Sequence, residues 1–114
     1  MRSDPRKLLY DVLTAAEAIA EFCLGRTIET YEADRMLRSA CERQFEIIGE
    51  AMTRLRDRHP DVWTQVEGGP AIISFRNRLI HGYDTVDSQI VWDVIQSRLP
   101  QLQRTTRRLL EAHP

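Results

Sequence analysis

Leu37-Arg-Ser-Ala-Cys41-Glu-Arg-Gln-Phe45-Glu-Ile-Ile48-Gly-Glu-Ala-Met52-Thr-Arg-Leu55 is the stretch on which the fold turns. Its apolar members Leu37, Ala40, Cys41, Phe45, Ile48, Met52 and Leu55 recur every three or four positions. At about 100° per residue they fall on one side of a helix. Glu42, Glu46 and Glu50 repeat every four residues beside Arg43 and Arg54, the usual pattern of a solvated face laced with i,i+4 ion pairs, although a partner or dimer surface would read the same way. The helix is expected over about residues 30–58, where His59-Pro60 stops it.

Moving outward, Asp4 before Pro5 is a cap followed by a first-turn proline, and Leu8, Leu9, Val12, Leu13, Ala16, Ile19, Ala20 and Cys23 then keep helical spacing up to Gly25. On the other side, residues 61–70 read as an irregular connection broken by Gly68-Gly69-Pro70, and a shorter helix is expected over residues 71–81. Asp87 or Ser88 opens a last helix carrying Ile90, Val91, Val94, Ile95, Leu99, Leu102, Leu109 and Leu110, with Pro100 imposing a kink or local break. An alternating strand pattern is almost absent. The expected fold is all-α, an antiparallel four-helix, possibly five-helix, up-down bundle, with residues 1–114 as a single domain.

Composition narrows the function classes. The net charge is -1 and the pI about 6.3, so there is no global attraction to nucleic acid, and any RNA contact must come from a local patch. Lys7 is the only lysine among the basic residues; the arginine excess fits phosphate handling but is more simply a coding bias. No apolar run approaches the roughly 20 residues that cross a bilayer, and Met1-Arg-Ser-Asp-Pro5 lacks the apolar core of a signal peptide, so a cytoplasmic protein is expected. Cys23 and Cys41 fall on or near apolar stripes and read as reduced core residues. Trp63 and Trp92 read as core or interface anchors rather than base-stacking platforms, because aromatics are few and not interleaved with arginine.

The chemistry concentrates in Arg76-Asn77-Arg78-Leu79-Ile80-His81, followed by Gly82-Tyr83. Arginine is a fixed-charge fork that grips phosphate at two points, and histidine trades protons near neutral pH. In a regular helix Arg76 and His81 point roughly 140° apart. Asn77 and His81, at i and i+4, share a face, so Asn77 can orient the imidazole. Gly82 is suited to end the helix in a left-handed conformation. A capped helix with surface arginines and an aromatic anchor would also account for this composition.

Arg-x4-His-x-Tyr with Asn directly after the Arg resembles the signature of the HEPN superfamily, and specifically of the HepT-like toxins paired with minimal nucleotidyltransferase antitoxins. The likeness extends to Phe22-Cys-Leu-Gly-Arg-Thr27, Arg43 to Ala51, Ile72 to Tyr83, Val91-Trp92 and Leu99-Pro100, in the same order and across most of the chain. The resemblance implies a homodimer with a composite cleft, in which two copies of the motif cleave RNA as a metal-independent endoribonuclease. Arg76 would bind the scissile phosphate, His81 act as base or acid, and Asn77 position His81 or the substrate. Tyr83 resembles the acceptor of AMP groups transferred by the nucleotidyltransferase antitoxin.

One chain offers one histidine in a suitable setting, since His59 precedes Pro60 and His113 lies in the tail. Two-proton chemistry therefore wants a second copy. Arg78 is either a peripheral phosphate contact or an exposed helix-face residue. No metal and no cofactor is implied, because the chain has no His-Glu-x-x-His, no Cys pair at ligand spacing and no carboxylate cluster near His81. The alternative is a non-catalytic helical module that binds a nucleotide or docks onto a nucleotidyltransferase.

Overall fold

The computed structural model describes residues 4–82, 84 and 86–112. These form helices α1 (Pro5–Phe22), α2 (Ile28–Ala33), α3 (Arg35–Arg58), α4 (Pro60–Trp63), α5 (Gly69–His81), α6 (Ser88–Ser97) and α7 (Leu99–Ala112). The result is an all-α bundle in which α3 packs against α1 and α5, α1 against α7, and α6 against α7 and α2. Among the described residues there is no strand.

Local chemistry explains most helix ends. The Asp4 carboxylate accepts from the Arg6 N–H at 2.8 Å, with Pro5 in the first turn of α1. After Phe22 the chain turns through Gly25 at φ 75, a left-handed conformation that favours glycine. Thr27 and Thr30 then exchange side-chain and backbone hydrogen bonds as a capping box for α2. Asp87 opens α6 by accepting from the Gln89 N–H at 2.9 Å.

Three details differ from the sequence reading. The long helix expected over residues 30–58 is divided at Asp34, whose backbone is extended (φ -108, ψ 98) and whose carboxylate caps α3 through the Leu37 N–H at 3.0 Å. The division lets α2 tuck Tyr31 fully inside, where its ring lies 5.4 Å from that of Trp92 on α6. The connection expected over residues 61–70 holds the short helix α4, and α5 begins two residues early, at Gly69, onto which Trp63 packs. Of the kink or local break expected at Pro100, the structure has the break, which separates α6 from α7 at Arg98. Finally, Gly82 caps α5 with φ -117 and ψ 38, so no left-handed residue is needed there; its N–H reaches the Arg78 carbonyl at 2.9 Å.

The buried side chains form one continuous cluster drawn from all the helices, with Phe45, Ile48, Met52 and Leu55 of α3 at its centre. Phe45 and Phe75 meet edge to face at 5.0 Å and 86°, which locks α3 to α5 one residue away from Arg76. Loss of such a buried aromatic costs about 3–5 kcal/mol. Cys23 and Cys41 are buried free thiols whose sulfurs lie 3.6 Å apart, and burial pushes both thiols up. No helix of the described residues is long and apolar enough to cross a membrane.

Candidate active site

α5 buries Ile72, Ile73, Phe75 and Leu79, and that stripe decides where the remaining side chains go. Asn77, Arg78 and His81 are left exposed, while Arg76 sits at the boundary facing α3, with its side chain 22% exposed. Leu79 and Phe75 thus act as the inner anchors that orient the charged residues between and beyond them.

The Arg76 guanidinium is held at both terminal nitrogens. Nη2 donates to Glu50 Oε2 at 2.9 Å, and Nη1 donates to Asn77 Oδ1 at 3.0 Å. Glu50 Oε1 in turn faces Arg54 Nη2 at 3.2 Å. Arg76 Nε is buried and has no hydrogen-bond partner among the described residues. The aliphatic stem of Arg76 lies against the bare backbone of Gly49: a Cβ there would sit 2.2 Å from Arg76 Cγ and 2.3 Å from Arg76 Cβ. Arg76, Glu50 and Arg54 border a groove of about 290 Å³ between α1, α3 and α5, whose other walls include Leu8, Asp11, Glu46 and Ile80.

His81 and Arg78 open elsewhere. Both line a cavity of about 280 Å³ between α5 and α6, walled by Phe75, Leu79, Ile90 and Val91 with Asp87 at its edge. Neither side chain has an ion pair or hydrogen bond to another described residue, and both are exposed. Tyr83 lies outside the described residues. Among the described residues no three His, Cys, Asp or Glu side chains gather in a way that could hold a metal ion.

The structure therefore brings together Arg76 and Asn77, and separately Arg78 and His81. Asn77 shares the exposed face with His81, as the spacing implies, but its carbonyl is engaged by Arg76. Two residues of the site escaped the sequence reading. By its spacing Glu50 falls with Glu42 and Glu46 on a solvated face, and the pattern assigns Gly49 no role. The available signal was Gly49 itself, since a glycine in the interior of a long helix costs about 1 kcal/mol against alanine and marks a close approach when retained.

The family described as Ribonuclease HepT-like matches residues 12–109 of this chain. Among curated proteins, "Putative RNase TTE0752" from Caldanaerobacter subterraneus subsp. tengcongensis is 32% identical over 112 residues, covering 94% of this chain and 95% of that protein. "Putative RNase MJ1380" from Methanocaldococcus jannaschii is 30% identical over 108 residues, covering 90% of this chain and 94% of its own length. "Probable ribonuclease HepT" from Thermococcus cleftensis is 28% identical over 114 residues, with 96% and 98% covered. No solved structure gives a significant match.

Proposed function

Because this chain belongs to the HepT-like ribonuclease family, we propose that it is a metal-independent endoribonuclease whose site is completed by a second copy of itself. The observation that carries this reading is the division of the motif: Arg76 faces the α1–α3–α5 groove, whereas His81 faces the α5–α6 cavity. A single chain thus offers one cationic phosphate grip and, apart from it, one imidazole. RNA cleavage by its own 2'-hydroxyl needs one group to take that proton and another to protonate the departing 5'-oxygen. Two copies related by a two-fold axis supply two imidazoles and two guanidiniums in one cleft.

In this mechanism one His81 removes the 2'-hydroxyl proton as the oxygen attacks phosphorus. The other His81 delivers a proton to the 5'-oxygen as the P–O5' bond breaks, leaving a 2',3'-cyclic phosphate. Arg76 stabilises the charge that accumulates on the phosphorane oxygens, and Arg78, exposed beside His81, contacts a neighbouring phosphate. Proton transfer and charge stabilisation are both supplied by side chains, so the reaction proceeds in EDTA.

The same reading casts the protein as a cytoplasmic toxin of a toxin–antitoxin module. Its antitoxin is a minimal nucleotidyltransferase that places AMP on Tyr83. Added two residues beyond His81, that group brings bulk and negative charge to the cationic motif and competes with RNA for Arg76 and Arg78.

The test is cleavage of total tRNA and mRNA in EDTA by unmodified protein, with the ends mapped. The parent produces 2',3'-cyclic phosphate ends. His81→Ala lowers the rate about 10²- to 10⁴-fold and Arg76→Ala about 10²- to 10³-fold. A folded, unmodified dimer that binds RNA or nucleotide without cutting would replace this reading with a non-catalytic binding module.

A further inference from the structure

The Arg76 side chain is constrained at three points, and only one of them, Asn77, belongs to the motif that defines the site. Its stem runs across Gly49, its Nη2 is fixed by Glu50, and its Nη1 by Asn77. We propose that Glu50 is a positioning residue for Arg76: its carboxylate, braced from the far side by Arg54, holds the guanidinium in the orientation that receives the scissile phosphate. The absence of a side chain at Gly49 leaves the path in which the arginine lies. This deepens the ribonuclease reading and rests on it for the identity of the anion.

Geometry determines which edge of the fork is offered. Nε is buried, so a ligand meets the Nη1 and Nη2 end. Each terminal nitrogen carries two N–H groups, and the contacts to Glu50 and Asn77 account for one on each, which leaves one N–H per nitrogen for an incoming oxygen. An arginine free to rotate about its long stem would give up this alignment and lose freedom on binding; the clamp removes that freedom in advance.

A carboxylate so close to the phosphate grip raises the opposite possibility, that Glu50 competes with phosphate for Arg76. Charge sharing argues against it. The single carboxylate is divided between Arg54 at 3.2 Å and Arg76 at 2.9 Å, so the cluster of two guanidiniums and one carboxylate remains cationic. Other acids of the groove take no part in the clamp: Glu46 faces Arg43 at 3.9 Å and Asp11 faces Lys7 at 2.6 Å. The role is therefore specific to Glu50.

The experiment compares RNA cleavage kinetics of the full-length parent with Glu50→Ala, Glu50→Gln, Arg76→Ala and the double variant Glu50→Ala/Arg76→Ala, with Glu111→Gln, exposed on α7 away from the groove, as control. In parallel, NMR of the arginine side chains follows rotation of the Arg76 guanidinium. Glu50→Ala should lower kcat about 10- to 100-fold, and Glu50→Gln, which keeps an acceptor without the charge, should lose less. In the Arg76→Ala background, removing Glu50 should have no further effect, because a residue that acts only through another is non-additive with it. Glu111→Gln should match the parent.

Rates for Glu50→Ala equal to or above the parent would overturn the proposal, as would an equal fold-loss with and without Arg76, the mark of a purely structural role. Should Glu50→Ala fail to fold, the isosteric Glu50→Gln carries the same comparison. Should the parent itself leave RNA intact, the ribonuclease reading falls and the NMR comparison alone decides the clamp. Separate, slowly exchanging Arg76 Nη protons in the parent that merge in Glu50→Gln support it; identical restraint in both overturns it.

Discussion

Glu42, Glu46 and Glu50 look alike in sequence, yet each meets a different environment on α3. Glu50 braces Arg76, Glu46 is loosely paired with Arg43, and Glu42 is half-buried. Burial pushes the Glu42 carboxyl above the ordinary carboxylate range; Arg38 opposes the shift and Glu46 adds to it. A carboxyl with a raised folded-state pKa binds its proton more tightly folded than unfolded. Its favourable contribution is therefore present at acidic pH and is lost as pH rises through the folded pKa. Glu42→Gln should accordingly raise the melting temperature at pH 7, and the gain should shrink as the pH falls toward the usual carboxylate range. A gain independent of pH would show that packing, not ionisation, governs this position.

At the scale of elements, Asp34 is the hinge of the N-terminal half. It ends α2 and opens α3, with one carboxylate oxygen on the Leu37 N–H and the other 3.5 Å from Arg26. The cap should dominate, because an exposed ion pair is worth about 0–1 kcal/mol at most whereas a lost N-cap costs roughly 0.5–2 kcal/mol. Asp34→Ala should therefore lower the urea unfolding free energy by about 1 kcal/mol, while Asp34→Asn, which still accepts from Leu37, should stay near the parent. Equal losses from both variants would assign the effect to the Arg26 pair. The hinge was only half legible in the sequence. Asp is a recognised cap, but the apolar spacing runs unbroken from Leu37 and gives no reason to stop at residue 34. What makes the break worthwhile is the burial of Tyr31 beside Trp92, a contact between α2 and α6. Pro100, by contrast, announces its own interruption, because proline cannot donate to the helix ladder and clashes with the turn before it.

For the whole molecule, the decisive fact is that Arg76 and His81 open onto different sides of α5. The composite-site reading makes a mixing experiment informative. The His81→Ala homodimer should be nearly inactive, and co-refolded heterodimers of parent and His81→Ala chains, which keep both Arg76 but only one His81 in the shared cleft, should stay far below half the parent rate, because base and acid come from different chains. Heterodimers with half the parent rate or more would count against a cleft built from two chains. By itself the sequence determined where most of the helices lie, how most of them begin and end, and which charged residues crowd the end of α5. Those signals are local: a 3.6-residue period, a capping carboxylate, a proline or glycine at a boundary. Only the tertiary structure decided which of three equivalent glutamates holds Arg76, and that Gly49 makes room for it. The Arg76–Glu50 contact joins residues 26 positions apart through the close approach of α3 and α5. No local pattern encodes that approach, because it is set by how Phe45 and Phe75 pack in a core that exists only once the helices have assembled.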